Sequence, residues 1–315
     1  MEKNVVHSLK EYIEAIKMFE AQKSTDVINF GESPLFYRGE EECFPTVTSG
    51  LYLLKLDNGK TVSQTEFSLL EAAKTKFPEI MKDCNDNIEM LVKFQHFGMP
   101  TRLLDVTSNH FVALYFACQN YNKYQSCPVR KPADGRVLIC TRGITPYSFI
   151  QSLGVILDKY GLLKIERLAK YIMLSDYKIG TDLRETIIKL STIIARPLLF
   201  RAPQSNKRIK AQDGAFILTP SHMLNNYSME DLSRRNHHEL TRSEVIDNEF
   251  GNLRTMFDDR EIIIDAKSKE TIIDELDKIG INEATLFPDT EHQMHYLKDH
   301  YIRFDKYNWK LDLDN

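Results

Sequence analysis

The chain has 315 residues, of which 42% are hydrophobic and 27% are charged, as in a typical folded globular protein. Its formal net charge of −4 excludes a broad, charge-driven nucleic-acid surface, because such a surface requires a basic excess. No apolar run reaches the roughly 20 residues that cross a bilayer, and the N-terminus lacks the pattern of a signal peptide. We therefore expect a cytoplasmic protein without a membrane partner.

Apolar residues at helical spacing predict the helices, and short aromatic or β-branched runs bounded by turn residues predict the strands. The predicted helices cover Val6 to Ala21, about 65–75, Asp86 to His96, the segment from Phe111 to Cys118, 267–280 and about 291–303. The predicted strands are LFYRG (35–39), RVLICT (136–141), AQDGAFILT (211–219) and EIIID (261–265).

The spacing of these elements indicates the fold class. Residues 145–195 are helical almost throughout, which predicts a helical insertion at 145–200 within a single domain of residues 1–315. Residues 121–134 and 222–258 are polar and predict loops. Since the strands lack an even βαβ rhythm, we expect an α+β fold, with a mixed or antiparallel sheet surrounded by helices.

Metal binding is not expected. The five cysteines are widely and irregularly spaced, without a CxxC pair, so that neither a disulfide framework nor a zinc ribbon is indicated. The run His237-His238-Glu239 has no standard metal-ligand spacing, and a solvated loop explains it better.

Polar residues are concentrated in QHFGMPTRLLDVTSNHFVALYFA (95–117), just before an apolar helix. They are Gln95, His96, Thr101, Arg102, Asp105, Thr107 and Ser108. Two interpretations are open: a polar network that holds a strand–helix junction, or the wall of a ligand pocket.

FYRGE (36–40) together with QHFGMPTRLLDVT (95–107) resembles the FRG domain, named for an aromatic-Arg-Gly motif. RIKAQDGAFIL (208–218) and TIIDELDKIGINEATLFPD (271–289) are similar to later blocks of that family, so that the resemblance covers about 30–300. The family is known mainly from bacteria and phages and is often linked to antiviral defence. Tyr37 stands where the family carries Phe, and Val106 stands where an aromatic residue is commoner.

A more distant resemblance is to ADP-ribosyltransferases, and it implies an ADP-ribosyltransferase-like core with NAD as the substrate. In that layout Arg38 on an early strand grips NAD, and Thr107 with Ser108 lines the nicotinamide pocket. Gln212, or its neighbour Asp213, takes the place on a late strand of a glutamate that orients the ribose or the acceptor. Asp213 is expected to face the opposite side of that strand. These four catalytic candidates, Arg38, Thr107, Ser108 and Gln212, are joined by ligand-binding candidates at Tyr37, Gly39, His96, Arg102 and Asp105.

The resemblance implies an NAD-using transferase or NAD-cleaving effector in phage defence or toxicity, with an unknown macromolecular acceptor. A non-catalytic module that binds a nucleotide or a protein and relays a defence signal is the alternative. A metal-free nuclease or RNA-binding protein is a third hypothesis, based on NKRIK (206–210) and RRNHH (234–238).

Two geometric expectations follow from the pocket interpretation. The Arg38 guanidinium should lie within hydrogen-bonding distance of the segment from Asp105 to Ser108. Either His96 or Asp105 should hold Arg102 or the backbone of the turn.

Overall fold

The described strands form one mixed sheet. A computed structural model describes residues 4–20, 34–54, 62–119, 132–155, 165–219 and 253–298, apart from residues 83, 176, 178, 195, 205 and 259. The strands are β1 (Val5–Val6), β2 (Phe36–Glu40), β3 (Leu103–Thr107), β4 (Gly135–Cys140), β5 (Leu198–Phe200), β6 (Gly214–Leu218) and β7 (Glu261–Ile264). Their order in the seven-stranded sheet is β1-β7-β4-β2-β3-β6-β5. The pair β1–β7 is parallel and the other neighbouring pairs are antiparallel, which confirms the α+β prediction.

Helices pack against this sheet. They are α1 (Leu9–Glu20), α2 (Val62–Lys76), α3 (Pro78–Met81), α4 (Asn87–His96), α5 (His110–Cys118), α6 (Tyr147–Val155), α7 (Ile165–Met173), α8 (Leu183–Ile194), α9 (Lys207–Ala211), α10 (Lys269–Lys278), α11 (Glu283–Leu286) and α12 (290–298). Gly50–Leu53 and Leu253–Met256 are short 3-10 helices. Among the described residues, none of the helices combines the length and the apolar character needed to cross a membrane.

Capping residues explain where the two helices next to the site begin and end. The Asp86 carboxylate accepts a hydrogen bond from the Glu89 amide at the start of α4, and the Asn109 side chain accepts one from the Phe111 amide at the start of α5. After α4, Gly98 adopts φ +76°, a left-handed conformation that glycine takes without steric cost. The predicted end of α4 at this glycine is therefore confirmed.

Two sequence predictions differ from the structure. Helical spacing places Val6 in the first helix, but Val6 pairs in β1 with Ile264, because its β-branched side chain fits a buried sheet edge. The apolar run after Gln212 and Asp213 predicts a strand at both residues, but they form the turn between α9 and β6, and Asp213 adopts φ +45°. The expected opposition of their side chains across a strand is therefore wrong.

Buried apolar side chains form clusters on both faces of the sheet. On one face, α1, α5, α10 and α11 cover the half that contains β2, β4 and β7. On the same face, α4 and α6 to α8 cover the half that contains β3, β5 and β6. Leu253, Met256 and Phe257 pack on the opposite face. The boundary between the two helical groups falls between β2 and β3.

Several predicted segments lie partly or wholly outside the described residues. These are most of the loops at 121–134 and 222–258, including His237-His238-Glu239 and RRNHH (234–238), and the end of the last helix beyond residue 298. Residues 145–200 contain α6, α7 and α8, followed by β5. That this segment is an insertion in a single domain of residues 1–315 stays a prediction, as does the likeness to an ADP-ribosyltransferase core.

Candidate functional site

The two central strands β2 and β3 separate along their length. β2 pairs with β4 from Phe36 to Glu40, but within the described strands it pairs with β3 only at Tyr37, which lies opposite Thr107. Beyond this point Nη1 of Arg38 donates a hydrogen bond to the backbone oxygen of Asp105 at 3.0 Å. The Arg38 side chain therefore spans a gap between β2 and β3, where backbone hydrogen bonds would join the strands in a regular sheet. The expectation that the Arg38 guanidinium lies within hydrogen-bonding distance of the segment from Asp105 to Ser108 is confirmed.

A buried carboxylate fixes the orientation of Arg38. Nε of Arg38 donates to Glu40 at 2.9 Å, and the second oxygen of Glu40 accepts from Nε of Arg136 at 2.8 Å. The side chains of Glu40 and Arg136 are 4% and 3% exposed, whereas that of Arg38 is 23% exposed. Since Arg136 and Glu40 lie opposite each other in the β2–β4 register, the sheet itself places this pair. Arg38 is thereby held rigidly, with its outer edge accessible.

Gly39 has a packing role. A Cβ atom at this position would overlap the backbone oxygen of Ala113 and lie 2.8 Å from the amide nitrogen of Ala117, both in α5. Gly135 on the neighbouring strand is similarly close to the backbone of Ala117. The glycine after Arg38 thus lets α5 lie directly on the sheet beside the gap.

The polar residues before α5 form a directed chain of hydrogen bonds. The Leu103 amide donates to Thr101 Oγ1, which donates to Gln95 Oε1 at 2.5 Å. Nε2 of Gln95 in turn donates to Oδ2 of Asp105 at 2.8 Å. The Asp105 carboxylate is the last acceptor of this chain. The exposed Asp105 side chain is therefore aimed by Gln95.

Arg102 belongs to the core and not to the site. Its Nη2 lies 2.5 Å from Oε2 of Glu66 in α2, and both side chains are less than a tenth exposed. Burial lowers the pKa of Arg102, but the neighbouring Glu66 carboxylate outweighs this effect and raises it, so Arg102 stays charged. Glu66, distant in sequence, holds Arg102, so the expectation that His96 or Asp105 does so is wrong. The alternative, that one of these two residues holds the backbone of the turn, stays a prediction.

Thr107 and Ser108 join the end of β3 to the turn before β6. Thr107 Oγ1 donates to the backbone oxygen of Gln212 at 2.7 Å and accepts from the Asn109 amide at 3.0 Å. Ser108 Oγ accepts from Nη2 of Arg201 at 3.0 Å. The hydroxyl of Thr107 is thus occupied by protein partners, and Ser108 does not line the cavity described below. Both residues brace the junction.

A cavity of about 250 Å³ opens over the gap between β2 and β3. It brings together most of the residues predicted for the site, with Arg102 and Ser108 as the exceptions. The lining consists of Tyr37, Arg38, Gly39, Val92, Gln95, His96, Asp105, Val106, Thr107, Phe116, Arg208, Ile209, Gln212, Gly214, Ala215 and Phe216. Two guanidinium groups and one carboxylate thus face a common space.

Burial keeps the other ionisable groups of the lining neutral. Burial lowers the pKa of His96 below its usual 6.5, and the charge of Arg208 lowers it further. Burial also raises the pKa of Tyr37 to about 12. At neutral pH the imidazole is therefore uncharged and the phenol keeps its proton. The charges available to a ligand are those of the arginines and of Asp105.

Gln212 is anchored through its amide nitrogen, which donates to the backbone oxygen of Leu286 at 3.1 Å. Its carbonyl oxygen can accept a hydrogen bond from a ligand hydroxyl, but an amide cannot serve as a base at neutral pH. No group of three or more His, Cys, Asp or Glu side chains within the described ranges is arranged to hold a metal ion.

Two residues of the site, Arg208 and Gln95, are not identified by the sequence pattern. In the sequence Arg208 is part of the basic run NKRIK (206–210), whereas in the structure its guanidinium stacks on the Phe287 ring at the cavity wall. Gln95 belongs to the polar set and to the motif at 95–107, but the sequence assigns no partner to it. The similarity of RIKAQDGAFIL to a family block is the one signal that points to Arg208.

Comparison with curated proteins and with solved structures gave no match. Comparison with protein-family models gave a match to the FRG domain over residues 33–126, which include Arg38, the Gln95–Thr101–Asp105 chain and α5. The opposite wall of the cavity, with Arg208 and Gln212, lies outside the matched segment. The chain therefore carries an FRG domain at residues 33–126.

Proposed function

We propose that this protein binds NAD in the cavity between β2 and β3 and cleaves its nicotinamide–ribose bond. The ADP-ribose is passed to a macromolecular acceptor or to water, as an effector in phage defence or toxicity. One observation supports this most directly: Arg38 is held at two nitrogens beside an exposed carboxylate, Asp105, in the same cavity.

Arg38 provides the phosphate contact. Its Nε and Nη1 atoms are occupied by Glu40 and by the Asp105 backbone, and Nη2 has no hydrogen bond to the residues that the structure describes. A guanidinium edge of this kind donates strong, charge-assisted hydrogen bonds to a phosphate oxygen. Because Glu40 and the backbone already fix the side chain, little further ordering is needed on binding.

Asp105 provides the charge that bond cleavage requires. When the bond between the ribose and nicotinamide breaks, its electron pair leaves with nicotinamide and positive charge develops on the ribose. A carboxylate oriented in advance stabilises that charge without reorganisation. Water or an acceptor then bonds to the same carbon and loses a proton. Asp105 supplies the negative charge that Gln212 lacks, and Gln212 holds a ribose hydroxyl.

The size of the cavity agrees with partial enclosure of the substrate. Pockets for drug-sized ligands enclose about 300–1,000 Å³, and this cavity measures about 250 Å³. Its volume is below that range, so on this proposal part of the dinucleotide extends beyond the cavity.

A non-catalytic nucleotide-binding module is the second candidate. Two observations favour it. Thr107 Oγ1 already forms hydrogen bonds with the backbone of Gln212 and of Asn109. Residue 212 is an amide, which cannot serve as a base at neutral pH. Such a module binds NAD through Arg38 and releases it unchanged.

Release of nicotinamide from NAD by the purified full chain separates the two candidates. We expect turnover by the wild type and a loss of at least about 100-fold in Arg38→Ala and in Asp105→Asn, since single electrostatic groups contribute that much to catalysis. Arg38→Ala should fold, because Glu40 keeps Arg136 as its partner. Gln212→Glu should preserve or raise cleavage. Binding without turnover by the wild type favours the module, and full activity of folded Arg38→Ala contradicts the proposal.

A further inference from the structure

Arg208 occupies the wall of the cavity across β3 from Arg38. It lies in α9, just before β6, and β6 is the neighbour of β3 on the side away from β2. Its guanidinium carbon is 4.5 Å from the centre of the Phe287 ring. The buried Phe287 ring stacks on His292 and contacts Phe116 in a T-shaped arrangement. The position of Arg208 is therefore set by an aromatic platform.

Stacking leaves the hydrogen-bonding edge of Arg208 available. A guanidinium that lies on an aromatic ring uses its flat face, and its N–H groups point outward in the plane. Among the residues that the structure describes, none accepts a hydrogen bond from this guanidinium or forms an ion pair with it within 4.0 Å. Burial lowers its pKa, and the more distant charges of Asp105 and Asp289 oppose that effect. A half-buried cation without a carboxylate in contact favours the binding of an anion, to which its N–H groups donate charge-assisted hydrogen bonds.

His96 adds a second unsatisfied group on the same wall. Its Nδ1 is buried and has no hydrogen-bond partner among the described residues. His96 and Arg208 line the same cavity, and the charge of Arg208 adds to the effect of burial in lowering the pKa of His96. Unsatisfied buried polar atoms are rare in native proteins, so this nitrogen, in a side chain that lines the cavity beside Arg208, is a second observation that points to a ligand.

We propose that Arg208 and His96 form a second anion-binding subsite, so that the ligand carries two linked phosphoryl groups. Arg38 binds one and Arg208 binds the other, on either side of β3. Asp105 on β3 lies between the two arginines along the sheet and faces the cationic part of the ligand. The identity of the ligand as NAD rests on the proposed function, whereas recognition of a pyrophosphate group rests only on the arginines.

Inorganic pyrophosphate and inorganic phosphate, titrated into the full chain by calorimetry, test the subsite. Arg208→Met keeps an apolar stem against Phe287 and removes the charge. We expect it to weaken pyrophosphate binding about 10- to 100-fold, the ratio that corresponds to charge-assisted hydrogen bonds. Phosphate, which one arginine suffices to bind, should lose less. Arg208→Lys should fall between the wild type and Arg208→Met, because lysine keeps the charge and loses the planar fork.

Lys210→Met is the matched control. Lys210 is an exposed cation on the same helix and does not line the cavity, so this variant removes the same charge outside the subsite. It should leave pyrophosphate affinity unchanged. Circular dichroism shows whether each variant folds, and Arg208→Lys carries the test if Arg208→Met does not.

Any one of three binding results overturns the inference: no pyrophosphate binding by the wild type, equal losses in Arg208→Met and Lys210→Met, or no loss in a folded Arg208→Met. The proposed function fails separately. Pyrophosphate binding that depends on Arg208, without release of nicotinamide from NAD, retains the subsite and rejects the enzyme. Turnover of NAD with a Michaelis constant unchanged in Arg208→Met retains the enzyme and rejects the subsite.

Discussion

Replacement of Glu40 by glutamine should strongly destabilise the protein. The Glu40 carboxylate is buried and accepts hydrogen bonds from Nε of Arg38 at 2.9 Å and from Nε of Arg136 at 2.8 Å. Glutamine has nearly the same shape but removes the negative charge and turns an N–H₂ group toward one of the two guanidiniums. The change leaves the buried Arg136 without a full counter-charge, since its other carboxylate neighbour, Glu261, is 3.6 Å away.

The expected loss is about 3–5 kcal/mol, the cost of removing one partner from a buried ion pair. That is a large share of the about 5–15 kcal/mol that stabilises a typical folded domain. The matched control is Glu79→Gln, which removes the same charge from an ion pair with Lys82 whose side chains are 83% and 66% exposed. Exposed pairs contribute about 0–1 kcal/mol, so this control should unfold nearly as the wild type does.

Urea denaturation followed by far-ultraviolet circular dichroism gives the free energy of unfolding for each variant. The double variant Glu40→Gln/Arg136→Met should be less destabilised than the sum of the two single variants, because removing the second partner eliminates the uncompensated charge. If Glu40→Gln costs less than about 1 kcal/mol, a range typical of surface pairs, Glu40 is not the counter-charge on which the buried Arg136 depends. The rigid placement of Arg38 would then need another explanation.

Three further predictions concern the surroundings of the cavity. Gly39→Ala should destabilise the fold by more than about 3 kcal/mol in the same denaturation assay, because α5 must move away from the sheet to admit the Cβ atom. A stability within about 1 kcal/mol of the wild type would contradict this prediction and show that α5 can move at little cost. Burial lowers the pKa of His96 in the folded state, so the unfolded chain binds the proton more readily and stability should fall as the pH drops below about 6.5. His96→Gln should remove part of this pH dependence. If the urea midpoint of the wild type is the same at pH values of about 7.5 and 5.5, the prediction is wrong. Thr107→Val should lower the free energy of unfolding by about 1–3 kcal/mol, because it leaves the Gln212 carbonyl and the Asn109 amide without their hydrogen-bond partner. A lower thermal unfolding midpoint would show this loss.

Local patterns are sufficient to predict the elements near the site. The apolar helix after Asn109, the strand around Arg38 and the stop at Gly98 all depend on residues close in sequence, and each is confirmed. Side-chain oxygens at helix starts and a glycine with positive φ at a helix end act over a few residues. A single sequence contains that information.

Pairings between distant residues are not predictable in this way. The partner of Arg102 is Glu66, and the platform for Arg208 is Phe287; neither relation follows from spacing. The apolar run after Gln212 predicts a strand at that residue, but the left-handed Asp213 delays the strand to Gly214. Where the fold brings separate segments together, the pattern along one segment does not determine the contact.

The order of the strands has a consequence for fragments of this protein and for its synthesis. The FRG match contains β2 and β3, whereas their outer neighbours β4 and β6 lie beyond residue 126. A fragment of residues 33–126 would expose two unpaired strand edges, which favour aggregation.

Thr107 and Gln212, which close the junction, are 105 residues apart in the chain, so loop closure must precede the contact. During translation the second wall of the cavity emerges only with α9 and α11. An incomplete chain that ends before α9 lacks Arg208 and Gln212, so the cavity is complete only once that part of the chain has been made.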